Sequence, residues 1–293
     1  MRRVLVTGAA GMLGSELLAQ APAGIEAVGT DLVGGPPLVR APGVDLADAP
    51  AVERLFREHG PFAGVIHCAA FTAVDLAESE EARAMRVNEE ACRVLARAAA
   101  RAAIPLVVVS TDFVFDGLGT RPYREDDPVA PLSAYGRTKL AGERAAAAEH
   151  PRGTRIVRTQ WLYGPRGKHF PGTIHGLAKS RPELKVVNDQ VGSPTTTLEL
   201  APALWDVLAR GEAGVYHAAC EGACSWFDLA RATLDQTGLG DVRVLPCSTA
   251  EFPRPARRPA YSVLDCSKLA RLRGRPLAPW KSALAQFLEK YPL

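Results

Sequence analysis

Residues 4–14 read VLVTGAAGMLG, and the fold turns on how they are read. Val4 to Val6 is a short β-branched apolar run that predicts a buried strand. Gly8, Gly11 and Gly14 then interrupt it where a Leu-rich helix begins, running from about Gly11 to Gln20. Glycine permits a tight turn, lets backbone N–H groups approach a pyrophosphate, and lets a helix pack closely on its strand. Met12 and Leu13 fall in the first turn of that helix. Two Arg precede the run, but glycines this dense suit a strand and turn better than a signal peptide.

Working outward, IEAVGTD (25–31) predicts a second strand ending on Asp31, whose carboxylate stands where a cofactor ribose would be read. A loop and a helix near 49–59 follow, then a strand GVIHCAA (64–70) and a helix near 79–103. PLVVVST (105–111) is the next strand, ahead of a helix carrying Tyr135 and Lys139, and TRIVRTQWLYG (154–164) is another. Near-continuous apolar strands alternating with helices predict an α/β fold, a doubly wound parallel sheet covered on both faces. After Gly164 the pattern loosens into a basic Gly/Pro loop and a short helix. KVVNDQVGSPT reads as a strand returning to the sheet, TLELAPALWDVLAR as a helix, VYHAAC as a strand and PWKSALAQFLEKY as a terminal helix. This reading divides the chain into a dinucleotide-binding Rossmann domain, 1–163 with about 186–217, and a smaller α/β substrate-binding domain, about 164–185 with 218–293.

Composition bounds the function. The chain has 293 residues, 47% hydrophobic and 23% charged, with a net charge of +3. That balance, with no basic run, argues against a nucleic-acid partner, and no segment has the length of a membrane span. The six Cys are scattered, and Cys220 and Cys224 lack the spacing and second pair of a zinc knuckle. Buried thiols in a reducing compartment are expected, which points to the cytoplasm.

Residues 133–143, SAYGRTKLAGE, place Tyr135 and Lys139 four positions apart on a helix. Either the Lys stem simply covers the ring, or its charge lowers a phenol pKa that starts near ~10, so that the Tyr can act as an acid. The segment alone leaves both open.

The glycine pattern together with Tyr135-Gly-Arg-Thr-Lys139 resembles the extended short-chain dehydrogenase/reductases. CAAFTAVDLAES (68–79), STDFVFDG (110–117), RTQWLYG (158–164), NDQVGSPT (188–195) and RPAYSVLDCSKL (258–269) are similar to the dTDP-4-dehydrorhamnose reductase branch, in order along the whole chain. The resemblance implies hydride transfer from NADH or NADPH to the C4 ketone of a dTDP-4-dehydro-6-deoxy sugar. Tyr135 would be the acid, Lys139 would favour the phenolate and hold the nicotinamide ribose, and Thr111 would orient the carbonyl. Asn88 corresponds to the family's helical Asn. Ala69, Ala70, Phe71 and Thr72 would wall the cofactor phosphates and ribose. Asp45, with Leu46 beside it, would read the adenine, unless Asp45 is the N-cap of the helix after it. Asp112 either bonds the sugar or caps the following turn. Trp161 either stacks on the sugar or sits in the core, and Arg258 either meets the nucleotide diphosphate or lies in a solvated loop. Magnesium, required by some relatives at a dimer contact, is assignable to no residue, and the chain is expected to be a monomer or homodimer.

The chain departs from the branch at Phe113 and Phe71, where Tyr, or Tyr and His, are usual. Losing a hydroxyl at 113 loosens the identity of the sugar. The alternatives are an epimerase or dehydratase of the same fold and a regulatory subunit that binds nucleotide without turnover. The single Asp112, followed by Phe113 where a dehydratase carries a second acid, weighs against the first. Retention of Thr111, Tyr135 and Lys139 weighs against the second. On cofactor choice, the Asp31 charge disfavours a 2′-phosphate while Arg40 in the next loop could answer it, so NADH is expected to serve at least comparably.

Overall fold

The computed structural model of the protein describes residues 1–33 and 39–293; part of the loop expected after Asp31 lies outside them. β1 (Arg2–Thr7) enters the glycine turn and α1 (Met12–Ala19), followed by β2 (Ile25–Asp31), β3 (Val39–Pro42), α2 (Ala49–His59) and β4 (Phe62–His67). Short helices α3 (Val74–Ala77) and α4 (Glu81–Met85) lead through a π-helical turn, Arg86–Glu90, into α5 (Ala91–Arg101). Next come β5 (Leu106–Thr111), a 3-10 turn at Asp112–Val114, α6 (Ala134–Glu149) and β6 (Thr154–Thr159). Then β7 (Leu162–Tyr163), α7 (Phe170–Ala178), β8 (Glu183–Val187), β9 (Val191–Gly192), β10 (Thr195–Thr196) and α8 (Thr197–Arg210) lead to β11 (Gly214–His217). The chain closes with β12 (Cys224–Ser225), α9 (Trp226–Gln236), β13 (Arg243–Cys247), α10 (Ser267–Arg273) and α11 (Trp280–Lys290).

Seven strands pair in parallel in the order β3-β2-β1-β4-β5-β6-β11. The winding direction reverses between β1 and β4, and the crevice outside the carboxyl ends of these strands is where such sheets bind ligands. Alternate residues of each strand feed opposite cores. Val4, Val6 and Val107 pack with Leu17, Leu204 and Phe287 on one face, and Leu5, Val65 and Leu106 pack with Val52, Leu55 and Leu95 on the other. A fully buried side chain of this size contributes about 1.5–3 kcal/mol, so the sheet is the stable platform from which the loops project.

Three expectations need correction. The segment 183–187 does not return to the main sheet: β8 pairs with β13, β9 with β12 and β10 with β7. Its alternation explains why. Leu184 and Val186 point into a small core with Ile174, Ala230, Leu234 and Val244, while Glu183 and Lys185 face outward. A strand inside a sheet covered on both faces would be apolar at every position. The strand expected over 154–164 breaks after Thr159, and Trp161 takes a left-handed backbone at φ 47°. The helix expected over 79–103 is interrupted by the π turn, which seats the Asn88 carbonyl against α6. A Cβ at Gly142 would come within 2.1 Å of that oxygen. A π turn inside an otherwise regular helix leaves too little trace in a 3.6-residue pattern to be read.

Candidate active site

A cleft of about 630 Å³ opens at the carboxyl ends of β1, β2, β4, β5 and β6. At one end lies the glycine turn. Gly8 has φ +65°, and a Cβ there would sit 2.6 Å from the Ala69 backbone nitrogen. At Gly14 it would sit 2.1 Å from the Gly8 carbonyl, so the close approach of α1 to β1 tolerates no side chain. Gly11 caps α1 without a side-chain hydrogen bond, and no acidic residue occupies the first turn. The first N–H groups of the helix therefore face the cleft with the positive end of its dipole, an arrangement that fits a dinucleotide pyrophosphate. The Ala10 N–H donates to Asp31 Oδ2 (3.0 Å) and the Val33 N–H to Oδ1 (3.4 Å), which ties the end of β2 to the turn. Asp45 lines the cleft, accepts from the Ala47 N–H (3.0 Å) and pairs with Arg86; the N-cap of α2 is Asp48 instead. Arg40 is paired with Glu26 rather than turned toward Asp31.

The other end is built on the C-terminus of β5 and the start of α6. Thr111 ends β5, donates to Asp112 Oδ1 (3.0 Å) and accepts from the Phe113 N–H (3.2 Å). Ser133 caps α6 by accepting from the Gly136 N–H (3.2 Å). Gly136 lets the helix press against the 3-10 turn, since a Cβ there would lie 2.3 Å from the Phe113 carbonyl. Tyr135 is thereby held half-buried beside Thr111, edge-on to the Phe113 ring at 5.5 Å. One turn on, Lys139 is buried and donates from Nζ to the Val109 carbonyl (2.7 Å).

The electrostatics differ from the simple expectation for the pair. Burial pushes the Tyr135 phenol up to about 12, with the Asp112 charge acting the same way and the Thr111 hydroxyl against it. Lys139 does not pull the phenol down, because its ammonium is turned to the β5 backbone and lowered by its own burial. Beside it, burial first and the Lys139 charge second push His67 down to about 3, so that ring is neutral. Burial raises the Cys68 thiol to about 12, which leaves no reactive thiolate. Asp112, only 1% exposed, is raised to about 6 by burial against the hydroxyls of Ser262 and Thr111.

Residues 1–292 match the profile of the family described as RmlD substrate binding domain. The chain belongs to this family. It is 44% identical over 292 residues to a dTDP-4-dehydrorhamnose reductase of Mycobacterium tuberculosis, covering 98% of this chain and 92% of that one. The crystal structure of a dTDP-4-dehydrorhamnose reductase from Clostridium acetobutylicum aligns with TM-score 0.91 at 41% identity, across 99% of this chain and 100% of that one. The Bacillus anthracis dTDP-4-dehydrorhamnose reductase in complex with NADP aligns with TM-score 0.90 at 35% identity, across 99% and 100%.

The cleft gathers the residues expected at the cofactor, from the glycine turn through Asp31, Asp45 and Leu46 to Ala69, Ala70 and Thr72, except Phe71. Phe71 turns its ring under the Arg83 guanidinium, while its backbone is clamped by Asn88, which accepts from its N–H (2.9 Å) and donates to its carbonyl (3.3 Å). Asn88 also donates to Thr138 (3.0 Å), so it fastens the loop after β4 to α6. Thr111, Asp112, Tyr135, Lys139 and Trp161 all line the cleft. Trp161 does so while stacked on Trp226 at 3.6 Å, outside any strand. Arg258 does not line the cleft; it is held by Asp75 through contacts of 3.1 and 3.0 Å, because that carboxylate is its nearest charge.

Sequence reading missed Ser110, Thr159, Gln160 and Lys168 in the lining, and the buried Arg158–Glu143 pair behind it (2.7 Å). Thr159 ends a parallel strand and Gln160 follows it, a position that itself marks ligand contact. Lys168 reaches the cleft only because its loop folds back over Met12, which no local pattern announces. Among the described residues no helix is long and apolar enough to cross a membrane. No group of three or more His, Cys, Asp or Glu among them could hold a metal ion.

Proposed function

We propose that this chain is a nucleotide-sugar ketoreductase that reduces the C4 ketone of a dTDP-4-dehydro-6-deoxy sugar, with dTDP-4-dehydrorhamnose as the expected substrate and dTDP-L-rhamnose as the product. The observation that carries the proposal is the convergence of Thr111, Tyr135 and Lys139 on one cleft with an uncapped glycine-turn helix end. Full-length similarity to dTDP-4-dehydrorhamnose reductases supports it. A nicotinamide bound along the cleft supplies the hydride. The Thr111 hydroxyl orients the ketone oxygen, and Tyr135 hands its proton to the alkoxide as it forms. Burial that raises the phenol to about 12 keeps that proton in place until it is needed. Lys139 holds the nicotinamide ribose and, since its ammonium is turned to the Val109 carbonyl, balances the phenolate only on leaving that carbonyl. Ala69, Ala70 and Thr72 leave room for the cofactor backbone, and Asp31 and Asp45 read its adenosine half.

In this reading NADH is used at least as well as NADPH, since Asp31 would oppose a 2′-phosphate and Arg40 is held by Glu26. The Rossmann part spans 1–163 and, because β8, β9 and β10 pair outside the main sheet, about 197–217 in place of 186–217, and the remainder forms the sugar side of the cleft. The test is oxidation of NADH and NADPH with a panel of dTDP-4-keto-6-deoxy sugars. Turnover of dTDP-4-dehydrorhamnose with product of the L-rhamno configuration supports the proposal. Cofactor binding without turnover of any panel member refutes it.

A further inference from the structure

Gln160 follows β6 with its side chain buried to 2% exposure, yet it lines the cleft. Its Oε1 accepts two hydrogen bonds, from the Ser193 N–H (3.0 Å) and the Ser262 hydroxyl (3.1 Å). A backbone N–H can only donate, so the amide cannot be flipped without setting two donors against each other. The amide nitrogen is thus locked in the remaining direction, and Nε2 has no partner among the described residues. Asp112 Oδ2 is likewise buried and without a partner, and the Ser262 hydroxyl that bonds Gln160 also faces the Asp112 carboxyl. Gln160 and Asp112 both line the cleft with Thr111 and Trp161, and the Ser262 hydroxyl joins the amide to the carboxyl. Two buried groups left unsatisfied each carry an uncompensated desolvation cost, and a partner that both donates and accepts relieves both. A ring hydroxyl has that chemistry.

We propose that Gln160 is a specificity-determining residue whose Nε2 donates to a hydroxyl of the substrate's sugar ring, with Asp112 accepting from the same group. The inference rests on the ketoreductase reading and deepens it, by naming what distinguishes one keto sugar from another. A site built to bond a hydroxyl rejects the analogue that lacks it, because its own polar groups are then stranded. Ser193 and Ser262 place the amide from outside the main sheet, so the segments around β9 and before α10 set the discrimination without touching the sugar.

The experiment measures kcat/KM for dTDP-4-dehydrorhamnose and for its 2-deoxy and 3-deoxy analogues, in wild type and Gln160→Met, with the NADH dissociation constant determined alongside. Turnover of the parent sugar by wild type checks the ketoreductase reading independently. The wild type should prefer the parent over one of the two analogues by about 10–100-fold. Gln160→Met should reduce that ratio at least about fivefold through KM, with NADH affinity unchanged. A wild type that uses both analogues as well as the parent would overturn the proposal without any variant, even if Gln160→Met fails to fold. An unchanged ratio in a folded variant would overturn it too, and so would a weakened NADH affinity with the ratio intact, which would place the amide on the nicotinamide carboxamide instead.

Discussion

Asp112→Asn should stabilise the protein at pH 8 and leave it nearly unchanged at pH 3.5. The native carboxyl is raised from 3.8 to about 6 by burial, so the folded chain holds that proton more tightly than the unfolded chain does. The contribution of this group to stability is then full below its unfolded pKa and is lost as pH rises through about 6. A shift of about two units corresponds to ~3 kcal/mol of cost for keeping the carboxylate in the fold at pH 8. Asn keeps the oxygen that accepts from Thr111 and removes the charge, so most of that cost disappears. For a chain of this size ~3 kcal/mol is worth roughly 6–12 °C in melting temperature. Thermal unfolding of wild type and variant at pH 3.5, 5, 6 and 8, in one ionic strength, should show the gap opening between about pH 4 and 6. A gap that is the same at pH 3.5 and pH 8, or a variant less stable at pH 8, would show that the carboxylate is not desolvated as its burial implies.

Three further outcomes are expected. Tyr135→Phe keeps the edge contact with Phe113 and loses only the proton, so kcat should fall about 10²–10⁴-fold while the NADH dissociation constant, read by fluorescence, stays close to wild type; unchanged turnover would remove Tyr135 from the mechanism. Asp31→Asn keeps an acceptor for the Ala10 N–H (3.0 Å) and removes the charge, which at ~4 Å and an effective dielectric near ~20 opposes a 2′-phosphate by up to about 4 kcal/mol before screening. The ratio of kcat/KM for NADPH over NADH should therefore rise about 10-fold or more at low salt, and a ratio that does not move would mean the ribose is read elsewhere. Glu143→Gln strands a buried guanidinium that now accepts no compensating charge (side-chain exposure 5% and 4% across the Arg158 pair), and breaking such a pair costs about 3–5 kcal/mol. Urea unfolding should show that loss, the double change Glu143→Gln with Arg158→Met should recover part of it, and a single variant as stable as wild type would contradict it.

The alternation of apolar strands with helices, and a glycine turn after the first strand, were enough to determine a doubly wound parallel sheet, because burial on both faces leaves its mark residue by residue. Helix spacing put Tyr135 and Lys139 on one face, but their reading as a pair with Thr111 came from the resemblance, and the fold brings all three to one cleft. Other features were decided only by contacts between distant segments. Whether β8 joined the main sheet depended on which core received Leu184 and Val186, and β13, more than fifty residues later in the chain, settled it. Arg258 was drawn to Asp75 across 183 residues of sequence, and Gln160 acquired a fixed donor only because Ser193 and Ser262 arrive on its other side. The protonation of Tyr135 and Asp112 belongs to the same class. Residue type sets the starting pKa, but the amount of water excluded and the charges left nearby are properties of the assembled cleft.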